Sequence, residues 1–90
     1  MANLDIPHLK SMFSALSNEK RLRIIELCSE KERTVTDLSK LLKLDYSITV
    51  EYSSKLQKAN LVSKTRKDNK SVIVKSLIRL NNNGEIKRVS

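Results

Sequence analysis

The apolar positions of the chain fall into four stretches at helical spacing, followed by two β-branched runs. From Ile6 onward, Leu9, Met12, Phe13 and Leu16 follow the i, i+3, i+4, i+7 rule, which predicts a helix over about residues 6–16. Asp5 can cap it, and Pro7 is tolerated in a first turn. "SNEK" breaks this pattern, with Asn18 placed to cap a second helix over about 19–30 and Glu19 favourable beside its positive end. In "RLRIIELC", apolar residues 22, 24, 25, 27 and 28 cover more than half of the helix circumference, so this helix is expected to be central.

A polar connection, "SEKER", leads to "TVTDLSKLLKL". Thr36 as N-cap, Asp37 in the first turn and the stripe Leu38, Leu41 and Leu42 predict a short amphipathic helix over about 37–43. The turn "KLDY" separates it from "DYSITVEYSSKLQKANL". The first half of that stretch, Ile48, Thr49 and Val50, is β-branched and mediocre in helices. On a wheel at about 100° per residue, however, Ile48, Tyr52, Leu56 and Ala59 share one side. Asn60 can take the left-handed conformation that closes a helix. A helix over about 46–59 follows, with Ile48, Tyr52, Leu56 and Ala59 toward the core. Two short helices joined by so short a turn have the outline of a helix-turn-helix, which an ordinary helical hairpin shares.

After Lys58 the pattern changes. "LVSKT" and "SVIVKSL" flank the turn-forming "KDNK", predicting a hairpin with strands over about 61–66 and 71–78. "IRLNNNGEIKRVS" holds a second turn signal at Asn83-Gly84, followed by either a short strand over about 85–89 or a frayed tail. The fold class expected is mainly α with a small β-hairpin, a winged helix-turn-helix, with one domain over residues 1–80 and a tail or extra strand over 81–90.

Charge locates the chemistry. The 90 residues carry a formal net charge of +8, pointing to a polyanionic partner, either nucleic acid or an acidic lipid surface. Residues 61–90 hold eight Lys/Arg against two Asp/Glu and so supply most of the excess. A chain this short buries only roughly 60 to 65% of the surface that its unfolded form exposes, so dimerisation would add needed stability. No apolar run approaches a membrane span and no signal peptide opens the chain, so a cytoplasmic, nucleoid-associated protein is expected.

Enzymatic chemistry is not expected. Cys28 is the only cysteine and His8 the only histidine, so there is no internal disulfide and no cluster of soft metal ligands. Cys28 reads as small apolar filler in a helix, and His8 as a polar residue in a first turn. With one glycine there is no Gly-rich phosphate loop, and no cofactor is expected.

Three segments, "LSNEKRLRIIELC", "TVTDLSKLLKL" and "LQKANLVSKTRKDNKSVIV", resemble the ArsR-like (arsenic-repressor-like) winged-helix transcription regulators. The similarity runs from about Phe13 to Leu77 and needs no gap between Thr34 and Val62. That family has an "RLRIL"-type central helix, a "VxELA"-type first motif helix and an "LxxAGLVxxRR"-type helix exit and wing. The resemblance implies a double-stranded DNA partner, with the fourth helix in the major groove and the wing along the flanking backbone.

The wing residues Lys64, Arg66, Lys67, Asn69 and Lys70 then suit phosphate contacts, which supply most of the affinity. The fourth helix would turn Ser47, Val50, Ser54, Gln57 and Lys58 outward, with Tyr46 at its start and Glu51 on the flank; Lys55 joins the same candidate surface. Ser can bond phosphate or base, Gln can pair with adenine, Val50 can touch a thymine methyl and Glu51 can accept from cytosine N4. The absence of a guanine-reading Arg leaves backbone and shape readout as an alternative.

Departures from the family pattern also count. Metal-sensing members place cysteines near the first motif helix, where this chain reads "RTVTDL", or Asp and His ligands on a C-terminal helix, which is not expected here. Metal sensing is therefore not carried over. The family's dimer uses its first and last helices, leaving Leu9, Met12, Phe13 and Leu16 as the candidate homodimer interface, alongside a role in packing within one chain. In the family, a Val and a Leu face the core at the positions of Thr49 and Ser53, so the apolar face of this fourth helix is expected to be rotated. Two alternatives stand beside a sequence-specific regulator. One is an architectural DNA coater, and the other is a protein-interaction module that docks onto transcription machinery.

Overall fold

A computed structural model of the chain describes residues 4–68 and 71–89. Its helices are α1 (Ile6–Leu16), α2 (Glu19–Glu30), α3 (Val35–Leu42) and α4 (Tyr46–Lys58). The strands are β1 (Arg33–Thr34), β2 (Val62–Arg66), β3 (Val72–Ser76), β4 (Ile78–Leu80) and β5 (Ile86–Arg88). Antiparallel β1, β3 and β2 form one sheet in that order, and β4 pairs with β5 in a second. The architecture is a winged helix-turn-helix in which β2 and β3 are the wing.

Local chemistry sets most of the boundaries. The Asp5 carboxylate accepts from the His8 N–H at 3.1 Å, and the Asn18 side chain accepts from the Arg21 N–H at 3.1 Å. α3 begins earlier than predicted, because Thr34 rather than Thr36 is its N-cap. The Thr34 hydroxyl accepts from the Asp37 N–H at 3.0 Å while the Asp37 carboxylate accepts from the Thr34 N–H at 3.3 Å. Thr34 prevails because it stands three residues before an acid that can return the bond, a capping box. α3 closes on Lys43, held at φ 55°. In α4 the exit is a Schellman motif: Asn60 at φ 60° donates to the Gln57 carbonyl, and the Leu61 N–H reaches the Leu56 carbonyl, both at 2.9 Å. Leu56 and Leu61 are both fully buried, providing the apolar contact that accompanies this motif.

The second wing strand does not continue to residue 78. Buried Ser76 donates its hydroxyl to the Ile78 carbonyl at 2.6 Å and accepts from the Ile78 N–H at 3.3 Å, which turns the chain at Leu77. Beyond that turn β4 belongs to a different hairpin. Its tip is organised by Asn81, whose side-chain oxygen accepts from the Asn83 and Glu85 N–H groups at 2.9 and 3.0 Å. Gly84 sits in the left-handed region there, at φ +82°. Leu61, expected in the first wing strand, precedes β2 and is buried in the core. β1, too short for a periodic signal, extends the wing sheet by pairing Arg33 with Val74 and Thr34 with Ile73.

α2 is central, packing against α1, α3, α4, β3 and β4. Ile24, Ile25 and Cys28 meet Val35, Leu38 and Leu42 of α3, Leu56 of α4 and Val74 and Ile78 of the strands in one apolar cluster. Leu22, on the same helix, stays 38% exposed. Burial pushes the Cys28 thiol up to about 12, so the sulfur sits in the core as a neutral group. No helix among the described residues is long and apolar enough to cross a membrane. The capping box yields a direct test. Thr34→Ala should lower stability by about 1 kcal/mol in urea unfolding, whereas Thr36→Ala should change it by no more than a few tenths; equal losses would refute the assignment.

Candidate nucleic-acid interface

The surface expected to face a polyanion is built by α4 and the wing. α4 carries the largest correction to the sequence reading. Its buried positions are Thr49, Ser53 and Leu56, each fully enclosed, while Ile48 and Tyr52 are only half-buried. The helix therefore has the register of the family pattern, with hydroxyl residues where apolar ones are usual. The reason is hydrogen bonding inside the helix. The Thr49 hydroxyl donates to the Asp45 carbonyl at 2.9 Å and that of Ser53 to the Val50 carbonyl at 3.0 Å. Each reaches the core with its polar group satisfied, so burial carries no desolvation penalty of a few kcal/mol.

This register changes which residues look outward. At about 100° per residue, Glu51 lies across the helix from the line joining Thr49 and Ser53, and so at the centre of the outer face rather than on its flank. Ser47, Lys55 and Lys58 are exposed beside it, and Ser54 is half-buried. Tyr46, at the first turn, is 51% exposed. Val50 moves the other way, half-buried and packed against the core, and Gln57 is exposed nearer the buried side. The outer face thus carries one carboxylate, two serines and two lysines of the helix's last turn.

In the wing, Arg66 and Lys67 are exposed at the end of β2, and no ion pair among the described residues engages them. The hairpin is closed below its tip by the Lys67 N–H on the Ser71 carbonyl at 2.9 Å and by the Ser71 N–H on the Asp68 carboxylate at 2.8 Å. Asn69 and Lys70, expected at that tip, lie outside the described residues. Lys64 behaves differently from its neighbours. Its ammonium reaches back to α4 and donates to the Ser54 hydroxyl at 3.0 Å, and burial lowers its pKa. Sequence reasoning names both residues but not their contact. Strand alternation carries the signal, because Val62 and Lys64 share a face and Val62 is buried.

The candidate dimer residues of α1 are incompletely used by the chain's own core. Leu9, Met12 and Leu16 are half-buried and Phe13 is 57% exposed, while the fully buried residue of that helix is Ala15. The α4 register can be checked by substitution. Ser53→Arg should abolish cooperative unfolding, a loss above about 4 kcal/mol, while Ser47→Arg should keep the melting temperature within a few degrees. A folded Ser53→Arg protein would return the core face to Ile48 and Tyr52.

Comparison with known proteins agrees with this geometry. Residues 18–64, just over half of the 90, match the bacterial regulatory protein, arsR family. The chain is 33% identical over 73 residues to the cadmium resistance transcriptional regulatory protein CadC of Listeria innocua, covering 80% of this chain and 60% of that relative. It therefore spans less than two thirds of that relative's length. NolR from Sinorhizobium fredii has a similar structure, with a TM-score of 0.71 at 29% identity over 84% of this chain and 81% of that one. A homodimeric winged helix-turn-helix DNA-binding domain from Mycobacterium bovis shares the fold, with a TM-score of 0.73 at 20% identity over 84% of this chain and 75% of that one. Sequence match and fold agree, and the chain belongs to the arsR family of bacterial regulatory proteins.

Proposed function

We propose that this chain is a DNA-binding transcription regulator that places α4 in the major groove and the wing on the flanking phosphates. The observation that carries this reading is the pairing of two surfaces. A polar outer face on α4 stands beside a hairpin whose Arg66 and Lys67 are exposed and free of ion pairs among the described residues. The relatives support it, since the Listeria innocua protein is a transcriptional regulator and the Mycobacterium bovis domain binds DNA. On this reading Arg66 and Lys67 hold phosphate, while Tyr46, Ser47, Glu51, Ser54, Lys55 and Lys58 face the groove. Leu9, Met12, Phe13 and Leu16 form the contact of a homodimer, the state of the Mycobacterium bovis domain. A two-fold dimer matches half-sites about one helical turn apart. Such a protein acts in the cytoplasm on the nucleoid and performs no catalysis.

The absence of a guanine-reading Arg from α4 favours a second reading, an architectural coater with little base preference that relies on backbone and shape. Footprinting with excess competitor separates the two: a discrete protected site marks the regulator and uniform coverage the coater. For the leading reading, replacing Arg66 and Lys67 together with Ala should weaken binding to all duplexes about equally and reduce the slope of log K against log salt by about one to two. Unchanged affinity and slope would remove the wing from the interface.

The relative's name bears on effectors. Similarity to a cadmium-resistance regulator runs against the expectation that metal sensing is not carried over. Cys28 is buried with its thiol held protonated, and no three His, Cys, Asp or Glu side chains among the described residues come together as a metal site. Cadmium titrated into the protein–DNA complex tests whether sensing is shared with that relative, a sensor's response being the roughly five- to 150-fold change in affinity that allosteric coupling commonly delivers. Release of the DNA by stoichiometric cadmium would show that a metal site exists.

A further inference from the structure

The outer face of α4 holds no Arg, the side chain that most often reads guanine. Lys55 and Lys58 stand in the last turn, leaving the middle of the face to Glu51 and Ser54. A cation nevertheless arrives there from another element. Lys64 lies in the middle of β2, paired across the wing with fully buried Val74 and two residues from buried Val62. Its side chain therefore starts on the face of the sheet that turns toward the helices. Its ammonium then meets Ser54, ten residues earlier, at 3.0 Å.

We propose that Lys64 is a base-reading residue, its ammonium held by Ser54 on the groove side of α4 so that the wing supplies the guanine contact that the helix lacks. The proposal rests on the DNA-binding reading above. Ser54 accepts one ammonium N–H, which leaves two N–H donors on Lys64 and the serine O–H beside them for an incoming acceptor. Guanine presents two acceptors, N7 and O6, along its major-groove edge. The side chain is already ordered and partly stripped of water, so docking costs less rotamer entropy and less desolvation than it would for a solvated lysine. Burial lowering the Lys64 pKa reflects the same loss of hydration.

Phosphate oxygens offer the same acceptor chemistry, but Glu51 weighs against them. It lies three residues before Ser54, which places the two side chains about 5–6 Å apart at their Cβ atoms on the same helix surface. A phosphate seated on Lys64 and Ser54 would bring a full negative charge near Glu51, whereas the neutral guanine edge brings only the partial charges of N7 and O6 and is repelled less. Arg66 and Lys67, exposed at the end of β2 and in no ion pair among the described residues, stay the proposed phosphate ligands.

The experiment is selection of bound duplexes from a random pool, carried out with the full chain as wild type, Lys64→Met and Ser54→Ala. Lys64→Met keeps an unbranched side chain of similar length and removes the ammonium, and thermal unfolding of each variant verifies that it is folded. The wild type should select guanine at one position of each half-site. Lys64→Met should lose that preference, by roughly tenfold in discrimination, while preferences elsewhere in the site persist. Ser54→Ala should weaken the same preference and no other. The proposal is overturned if Lys64→Met weakens all sequences equally and lowers the salt slope by about one with base preferences intact, because Lys64 is then a phosphate ligand. It is also overturned if neither variant changes selection, or if the wild type binds duplex without preferring any base. Failure of the wild type to bind any duplex overturns the DNA-binding reading itself, and the proposal with it.

Discussion

A buried cation joins the helices on which the candidate interface is built. Arg21 is only 8% exposed, and among the described residues it has no carboxylate partner. Its Nε donates to the Ala15 carbonyl at 2.7 Å and its Nη2 to that of Ser14 at 3.3 Å, at the C-terminal end of α1, where the Ser14 carbonyl also accepts from the Ser17 N–H at 3.2 Å. The positive charge thus lies on the negative end of α1's dipole. Its guanidinium carbon also stands 5.0 Å from the centre of the Tyr52 ring on α4. Hydrogen bonds from a charged donor contribute about 1.5–3 kcal/mol and a partly desolvated cation–π contact about 1–2 kcal/mol. One side chain therefore ties α1, α2 and α4 together and, with the Thr49 and Ser53 hydroxyls satisfied within the helix, supports the rotation of α4 that turns Tyr52 toward Arg21.

That rotation determines the outer face. With Tyr52 held against Arg21, the adjoining Thr49, Ser53 and Leu56 go inward and Glu51 is carried to the opposite side. The wing is fixed to the same frame from its other end. Leu61 is buried immediately after the α4 exit, and Val62 and Val74 anchor the base of the hairpin in the core. The Ser76 turn then separates the wing from the β4–β5 hairpin, which packs through β4 against α2. Lys64 can span from β2 to Ser54 because helix and strand are both anchored at their shared corner.

The helix sequence, the helix-turn-helix and the wing are legible in the chain because each has a periodic or turn signal that does not depend on distant partners. Asp5, Asn18 and Asn60 act where local rules place them. The register of α4 is not legible by apolarity. Two of its three buried residues are Thr49 and Ser53, which read as surface residues until their hydroxyls are seen bonded within the helix. Arg21 misleads in the same way, since a charged side chain reads as exposed unless carbonyls and a ring are known to await it. The break after Ser76 is likewise a side-chain decision within an apparently continuous β-branched run. In all three cases a polar group satisfied locally enters the interior, and apolar patterning has no symbol for that.

The candidate interface inherits a division of labour from this framework. An exposed cation such as Arg66 or Lys67 keeps its hydration and its rotamer freedom, so it can follow a phosphate backbone without demanding one geometry. Lys64 is partly buried and rests on Ser54, so on the proposed reading it offers its charge at one position suited to a fixed acceptor. Glu51 sharpens this contrast. Its carboxylate in mid-face makes the helix a poor general seat for anions, so attraction to a polyanion must come from the wing and from Lys55 and Lys58 near the helix end. On the proposed reading, attraction is concentrated at the margins and selectivity at the centre, where Glu51, in no ion pair among the described residues, penalises any acceptor that arrives without a donor to offset it.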